Sequence, residues 1–149
     1  MNDSAYHFTA ATAQARHNRA VLEKHLRAEI AGELDATLAT MTDDPYLLPG
    51  TGLAARGLAA VTEVYQTRFR DVPDQAFEVV RSVVTDDVAV IEGYVNATPH
   101  GLFFGLQGHG KRVRLRAAVW IEFRDGKLAG ERGYYDTAEL QRQLVEGID

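Results

Sequence analysis

The feature that most constrains the fold is a pair of long β-type segments joined by Asp125-Gly126. Residues 113–124 and 127–135, on either side of this dipeptide, are rich in β-branched and aromatic side chains. Asp-Gly is favoured in two-residue type I′ turns, because both central positions need a positive φ. The sequence therefore predicts an antiparallel β-hairpin with its turn at residues 125 and 126.

The rest of the pattern divides the chain into a helical first half and a β-rich second half. Apolar residues recur at helical spacing over 21–38, with a break expected near Gly32, and again over 58–69. Thr42-Asp43-Asp44-Pro45 is expected to end the first helical region and to precede a short extended piece at 46–49. Further strands are predicted at 77–85, 88–98 and 102–107, with a closing helix at 137–145.

These elements predict an α+β fold in which N-terminal helices pack on one face of a curved, largely antiparallel sheet. If Asp86-Asp87 forms the turn between two of the strands, Arg81 lies opposite Glu92, and this opposite-charge pair helps to fix the register. The length fits a single domain over residues 1–149, and residues 1–10 are expected to be frayed.

Composition excludes several classes of function. The 149 residues contain no cysteine, which excludes disulfides, thiolate nucleophiles and Cys-ligated metal sites. Sixteen basic and 21 acidic residues give a net charge of −5 without a block of like charge, so nucleic acid is not an expected partner. No apolar run is long enough for a signal peptide or a membrane span, and we expect a cytoplasmic protein with a small-molecule substrate and no membrane partner.

A two-residue turn at 125 and 126 allows the two faces of the hairpin to be worked out. Residues whose numbers sum to 251 then pair, so Ala117 is expected opposite Tyr134 and Val119 opposite Arg132. The apolar face would therefore carry Arg132, Tyr134 and Asp136 as well as its aliphatic residues. Polar side chains on a core face are the anomaly that points to a site.

That face suggests acid–base chemistry on a carbon acid. A partly desolvated Asp136 carboxylate, kept ionised by Arg132, could take a proton from a substrate, and Tyr134 could hydrogen-bond the developing enolate. The small residues Gly130 and Ala117 leave room for a cavity, to which Val119 would contribute. Asp136 is the predicted catalytic base, with Arg132, Tyr134, Ala117 and Val119 contacting the substrate.

A structural explanation of Asp136 is equally consistent with the sequence. Asp136-Thr137-Ala138-Glu139 has the form of a helix capping box, in which Asp136 accepts from the backbone N–H of Glu139. Arg132 could simply pair with a carboxylate, and Tyr134 could be a packed ring. A one-residue β-bulge would move part of the predicted set to the other face.

The remaining candidates carry weaker signals. His100, where a strand breaks, is a candidate acid at the mouth of the pocket, and Tyr94 is a candidate substrate contact. His17 and His25 lie eight residues apart without a metal-binding motif, so no metal site is expected. Trp120 and Tyr135, on the other face of the hairpin, could cover a neighbouring subunit.

Several strings resemble a known family. They are DATLATMTDD at 35–44, TPHGLFFGLQGHGK at 98–111, FRDGKL at 123–128 and ERGYYDTAELQRQL at 131–144. Over about residues 16–146 the chain resembles the SnoaL-like polyketide cyclases of the nuclear-transport-factor-2-like superfamily. The resemblance implies a cone-shaped α+β barrel with a deep apolar pocket, a homodimer formed through the sheet, and no cofactor or metal. It also implies an aspartate base, matching Asp136, for intramolecular aldol closure.

Three functions follow from the residues and the resemblance. The first is a cofactor-free cyclase or isomerase acting on a small apolar carbonyl compound. The second is an epoxide hydrolase or hydratase in which Asp136 activates water, but the Arg-x-Asp pair of that mechanism is absent around Gly93-Tyr94-Val95-Asn96. The third is a ligand-binding or dimerisation module in which Asp136 only caps the last helix.

Overall fold

The computed structural model describes residues 6–148, which form four helices and nine strands. In chain order these are β1 (Tyr6–Thr9), α1 (Ala13–Ala31), α2 (Leu34–Ala39), β2 (Met41–Leu48), β3 (Ala55–Arg56), α3 (Leu58–Asp71), β4 (Ala76–Val84), β5 (Val88–Ala97), β6 (Leu102–Phe103), β7 (Leu106–Gln107), β8 (Val113–Arg124), β9 (Lys127–Tyr135) and α4 (Thr137–Glu146).

Seven of these strands form one curved sheet in the order β1-β4-β5-β8-β9-β2-β3. The pairs β1–β4 and β2–β9 are parallel, and the other neighbours are antiparallel. Helices α1 and α3 contact this sheet, which confirms the predicted α+β class. In the described part of the chain, no helix is long and apolar enough to cross a membrane.

Helices α3 and α4 begin and end close to the predicted positions, whereas α1 begins at Ala13, before the apolar spacing that predicted it. The Thr12 side chain accepts a hydrogen bond from the backbone N–H of Ala15 and so caps α1. Gly32 then adopts a left-handed conformation with φ of 68°, which suits glycine because it has no Cβ, and this ends α1 before α2 begins. The predicted break near Gly32 is confirmed.

Two segments before α3 have a different secondary structure from the prediction. Residues 6–9 form an edge strand beside β4 rather than a frayed end, while residues 1–5 of the predicted frayed segment lie outside the described part. Strand β2 begins at Met41, so Thr42-Asp43-Asp44-Pro45 lies within a strand. The pairing of β2 with β9 is interrupted between Met41 and Tyr46, and such an irregularity lets a strand contain a proline.

The predicted strand at 102–107 is a tight hairpin instead. Phe104 and Gly105 have φ of 49° and 79°, and this turn divides the segment into β6 and β7. At Gly105 an added Cβ would lie 2.1 Å from Cδ1 of Leu53, so this glycine also leaves room for the Leu53 side chain of another loop.

The β8–β9 hairpin has the predicted bounds and turn but a different register. Asp125 and Gly126 have φ of 53° and 73°, and Phe123 pairs with Leu128 as predicted. Ala129 is then an extra residue, because Glu122 pairs with Gly130. Beyond this bulge the pairing shifts by one residue, as bulges do.

The shift changes which β9 side chains face the helices. Ala117 pairs with Tyr135, Val119 with Gly133 and Ile121 with Glu131, so the predicted pairs Ala117–Tyr134 and Val119–Arg132 are wrong. Paired residues share a face of the sheet. The inner face therefore presents Glu131 and Tyr135, and Arg132 and Tyr134 lie on the outer face.

The core lies between the helices and the inner face of the sheet, in two clusters of buried residues. One contains Leu22 of α1, Val61 and Tyr65 of α3, and Ile121 of β8. The other contains Leu115 of β8, Phe103 of β6, and Leu140 and Leu144 of α4. An unfilled space remains where the two clusters meet under α3.

Candidate active site

A cavity with a volume of about 430 Å³ opens between α3, the β6–β7 hairpin and the sheet. Its walls are mainly apolar and include Phe77, Ile91 and Phe103. Its size lies within the range of about 300–1,000 Å³ that is usual for small-molecule sites. A concave apolar space of this kind fits the expected class of substrate.

Two of the predicted substrate-contact residues line this cavity. Ala117 and Val119 both face it from β8, where a larger residue at 117 would occupy part of the space. Arg132 instead pairs with Glu122 on the outer face, with Nη2 lying 2.7 Å from Oε1. The Tyr134 side chain is 58% exposed, and neither residue lines the cavity.

Asp136 acts as the N-cap of α4 and is exposed. Its Oδ1 accepts a hydrogen bond of 3.0 Å from the backbone N–H of Glu139, and Asp136 is absent from the cavity lining. The bulge at Ala129 is the physical reason, because it turns Tyr135 inward and leaves its neighbours at the surface. The expectation that Asp136 faces the cavity is corrected, and this geometry favours the capping explanation.

His100 and Tyr94 also lie away from the cavity. His100 is exposed, and its backbone N–H donates to the carbonyl of Asp71. Tyr94 points to the outer face, where the Arg114 guanidinium lies 3.5 Å from its ring centroid. The cavity therefore needs a different set of polar residues.

Such a set is present where α1, α3 and β9 meet. His25 is fully buried, and its Nε2 lies 3.0 Å from Glu131 Oε1 and 3.5 Å from Glu29 Oε1. Arg68 Nη1 lies 3.1 Å from the same oxygen of Glu29. We call these four residues the charged cluster. Glu29, Arg68 and Glu131 line the cavity, and His25 lies behind them.

The hydrogen bonds define the protonation of His25. Thr40 Oγ1 donates to the carbonyl of Thr37, so it accepts from His25 Nδ1 at 2.6 Å. The other nitrogen faces two carboxylates and carries a proton as well. Burial alone would lower the pKa of His25, but the hydrogen bonds to Glu131 and Glu29 outweigh it and raise the pKa to about 10. His25 is an imidazolium.

The two carboxylates have different neighbours. Burial would raise the pKa of Glu29, but the hydrogen bond from His25 and the charges of His25 and Arg68 hold it well below its usual value. Glu131 contacts one cation, His25, among the described residues. Glu131 therefore keeps more of its carboxylate lone pairs free toward the cavity than Glu29 does.

Local sequence explains how each member is placed. His25 and Glu29 are four residues apart on α1 and so lie on one helical face. Arg68 comes from the last turn of α3, where it also lies over the Tyr65 ring with its Cζ 4.9 Å from the centroid. Glu131 faces inward because of the β9 bulge. Sequence analysis missed this cluster, although the His25–Glu29 spacing was a visible signal.

The donor set could also hold a metal ion. One ligand atom from each of His25, Glu29 and Glu131 lies within 4.8 Å of the others. The Arg68 guanidinium and the His25 imidazolium already place two positive charges beside these carboxylates. A divalent cation would have to displace the His25 proton, and the ion pairs satisfy the carboxylates without it.

The comparisons with known proteins identify the family of the chain and confirm its fold. A family model described as SnoaL-like polyketide cyclase matches residues 15–144. The chain belongs to this family. The match covers most of the chain, including the elements that carry the charged cluster.

Solved structures show the same fold. A candidate polyketide cyclase from Xanthomonas campestris pv. campestris is 20% identical, with a TM-score of 0.77 over 89% of this chain and 99% of that one. A candidate SnoaL-like polyketide cyclase from Jannaschia sp. CCS1 is 15% identical, with a TM-score of 0.78 over 94% and 99%. A protein with a ketosteroid isomerase-like fold from Catenulispora acidiphila, solved with trimethylamine, is 11% identical, with a TM-score of 0.69 over 83% and 90%. No curated protein sequence matches the chain.

Membership in the SnoaL-like family favours a cyclase- or isomerase-type function. The structural neighbours establish the fold alone, because their sequences are so different. The expected homodimer stays a prediction. On the outer face of the sheet, Trp120 is 37% exposed as that prediction requires, whereas Tyr135 faces the cavity.

Proposed function

We propose that this protein is a cofactor-free enzyme of the cyclase or isomerase type, acting on a small apolar carbonyl compound held in the cavity. The observation that supports it is the charged cluster at the wall of an otherwise apolar space. Family membership points to the same class of reaction. The chemistry needs a base that removes a proton next to a carbonyl group.

Glu131 is the residue we propose as that base, in place of Asp136. Its side chain is 16% exposed and lines the cavity, and His25 fixes one carboxylate oxygen at 3.0 Å. A carboxylate with little water around it is a stronger base toward carbon acids, because it loses less solvation in the reaction. Glu29 is a poorer candidate since Arg68 and His25 both bind it.

The reaction would proceed through an enolate. Glu131 takes the proton from the carbon next to the carbonyl group, and the C–H electrons pass to the carbonyl oxygen. In a cyclase the enolate carbon then attacks a second carbonyl of the same molecule, and the oxygen of that carbonyl takes up the proton that Glu131 removed. In an isomerase it is reprotonated at another carbon. The His25 imidazolium stays bound to Glu131 and keeps the carboxylate oriented.

A chromogenic carbon acid tests the base directly. Nitrobenzisoxazole loses its ring C–H proton to a base while its N–O bond breaks, which releases a coloured cyanonitrophenolate. We expect the full-length protein to catalyse this elimination, and Glu131→Gln to slow it by about a hundredfold. Asp136→Asn should leave the rate unchanged, because Asn still caps α4 and Asp136 is not among the residues that line the cavity.

Glu23, an exposed residue that pairs with Arg19, supplies a control. Glu23→Gln removes a carboxylate from the same helix as Glu29 but from the surface, so it should retain the full rate. Equal losses in Glu131→Gln and Asp136→Asn would contradict our choice of base. If the protein accelerates the elimination no more than free acetate does, the proposal that the cavity catalyses proton transfer is rejected.

A further inference from the structure

Removal of a proton next to a carbonyl group leaves a negative charge on the carbonyl oxygen. Glu131 can take the proton, but a carboxylate cannot stabilise the new oxyanion. A cation or an N–H donor fixed beside that oxygen would lower the energy of the transition state, and its effect is larger in a water-poor cavity than in water. The proposed reaction therefore calls for a donor group in the cavity as well as a base.

Arg68 is the one lysine or arginine among the described residues that line the cavity. Its Nη1 donates to Glu29 Oε1 at 3.1 Å, whereas its Nε and Nη2 have no acceptor among the described residues. Neither of these two nitrogens is completely buried, and the side chain keeps 14% of its surface exposed. A guanidinium has five N–H donors, so Arg68 can bind Glu29 and a ligand oxygen at the same time.

The neighbours of Arg68 hold its guanidinium in place. The Cζ atom lies 4.9 Å from the ring centroid of Tyr65 and 5.8 Å from that of Phe104, and Glu29 binds one nitrogen. Burial would lower the pKa of Arg68, but the charge of Glu29 outweighs it and raises the pKa above its ordinary value. Arg68 is therefore a fixed and permanent positive charge.

The net charge of the charged cluster changes when Glu131 takes a proton. Before the transfer, two cations face two carboxylates and the cluster is neutral. After the transfer, Glu131 is neutral and the cluster carries one net positive charge, while the substrate carries one negative charge. Glu63 also lines the cavity, but it is exposed and water screens its charge. The cluster therefore favours the enolate over the uncharged substrate.

We propose that Arg68 is a second catalytic residue, whose Nε and Nη2 N–H groups donate to the carbonyl oxygen of the substrate as the enolate forms. Arg68 keeps its own protons throughout, and no bond to it forms or breaks. Glu29 is a positioning residue in this scheme, because it binds Nη1 and leaves the other donors for the substrate. The inference rests on the proposed function for the base and the place of the substrate, and it adds the group that stabilises the enolate.

A phenol that ionises in the cavity tests this oxyanion site without catalysis. Naphthol resembles an enol, and its anion absorbs at longer wavelengths than the aromatic side chains of the protein. Glu131→Gln imitates the protonated base, so naphthol bound to this full-length variant should ionise about one pH unit below free naphthol. Ionisation at or above the pH at which free naphthol ionises, or no binding of naphthol, would overturn the inference.

Changes at position 68 attribute the shift to Arg68. In the Glu131→Gln protein, Arg68→Met should abolish the shift, which corresponds to a loss of about tenfold in affinity for the naphthol anion. Arg70→Met is the matched control, because Arg70 lies on the same helix but is 70% exposed, and it should leave the shift unchanged. A folded Arg68→Met variant that keeps the shift would overturn the inference.

Arg68→Lys decides the question if Arg68→Met, which leaves Glu29 without its cation, does not fold. Lysine keeps a positive charge beside Glu29 but lacks the fork of N–H donors, so it should bind the naphthol anion about fivefold more weakly than arginine does. Circular dichroism reports whether each variant is folded. Equal affinity for the anion in Arg68→Lys would overturn the inference.

Elimination of nitrobenzisoxazole gives a second readout, with Glu131 intact. Negative charge develops on the departing oxygen, so Arg68→Lys should slow the reaction by about tenfold. The loss should be larger for chlorobenzisoxazole, because chlorine withdraws less of that charge than a nitro group does. A merely structural defect would slow both substrates equally, and equal losses would overturn the role of Arg68.

The two experiments distinguish this inference from the proposed function. A shift in naphthol ionisation that depends on Arg68, without any elimination, would support the oxyanion site and reject proton removal by Glu131. Elimination that depends on Glu131, with no shift in naphthol ionisation and equal rates in wild type and Arg68→Lys, would reject the role of Arg68 and leave the proposed base in place.

Discussion

His25 Nε2 lies 3.0 Å from Glu131 Oε1, and this contact joins the first long helix to the last strand through a buried imidazole and a half-buried carboxylate. The imidazole has no exposed surface, and Thr40 holds its other nitrogen. A buried ion pair contributes little net stability relative to apolar residues, but removing one partner is costly because the other stays charged. The contact therefore makes the folded state sensitive to pH.

The first prediction concerns the variant His25→Gln. Its free energy of unfolding should be about 3 kcal/mol below that of the wild type at pH values below 6.5, where the histidine is protonated in both folded and unfolded chains. Because the folded state raises the pKa of His25 to about 10, this difference should shrink as the pH rises from 6.5 toward 10. Urea unfolding of both proteins across this range measures it. A difference that grows with pH would contradict an imidazolium in the folded state.

The second prediction concerns Asp136 as a helix cap. Asp136→Ala should lower the free energy of unfolding by about 1 kcal/mol, because the N–H of Glu139 loses its acceptor. Asp136→Asn is the matched control and should lie within about 0.5 kcal/mol of the wild type. Chemical denaturation measures both. If Asp136→Asn is as unstable as Asp136→Ala, the carboxylate does more than cap α4.

Local signals in the sequence were sufficient to predict most of the fold. The Asp125-Gly126 turn, the end of α1 at Gly32 and the pairing of Arg81 with Glu92 each depend on neighbouring residues, and the structure confirms all three. The strand faces beyond residue 128 depend on a contact that is distant in sequence. An added Cβ at Gly130 would lie 2.3 Å from Cδ1 and Cε1 of Tyr46 on the neighbouring strand, so glycine lets that ring pack against the bulge.

The candidate site could also be predicted only in part, because it depends on contacts between residues that are distant in sequence. Ala117 and Val119 were predicted correctly as cavity residues, because β8 alternates regularly and has no bulge of its own before residue 122. The charged cluster combines α1, α3 and β9, and periodicity cannot reveal which residues of three elements meet. Because of the bulge, Glu131 and Tyr135 face inward, where the sequence had predicted Arg132 and Tyr134.

The third prediction concerns the outer face of the sheet, which the resemblance to the family implies is a dimer interface. If copies of the chain associate there, Trp120→Glu should convert a dimer into a monomer, because it places a charge in the middle of the contact. Light scattering during size-exclusion chromatography measures the mass. Gln66→Glu, at an exposed position on α3, is the control and should keep the wild-type mass. An identical mass for wild type and Trp120→Glu would show that Trp120 is not in an interface.

The fourth prediction uses adjacent alanines on the two faces of β8. Ala117→Leu should fill part of the cavity, raising the free energy of unfolding by about 1 kcal/mol as cavity-filling changes commonly do. The same change should weaken binding of the apolar ketone acetylnaphthalene by at least about tenfold, since the added side chain occupies the ligand's volume.

Ala118→Leu is the matched control, because residue 118 pairs with Tyr134 on the outer face. Calorimetric titration and thermal denaturation of both variants measure the two effects. Unchanged ligand affinity in Ala117→Leu would place the ligand elsewhere, and equal losses in both variants would indicate a change in the sheet rather than a filled cavity.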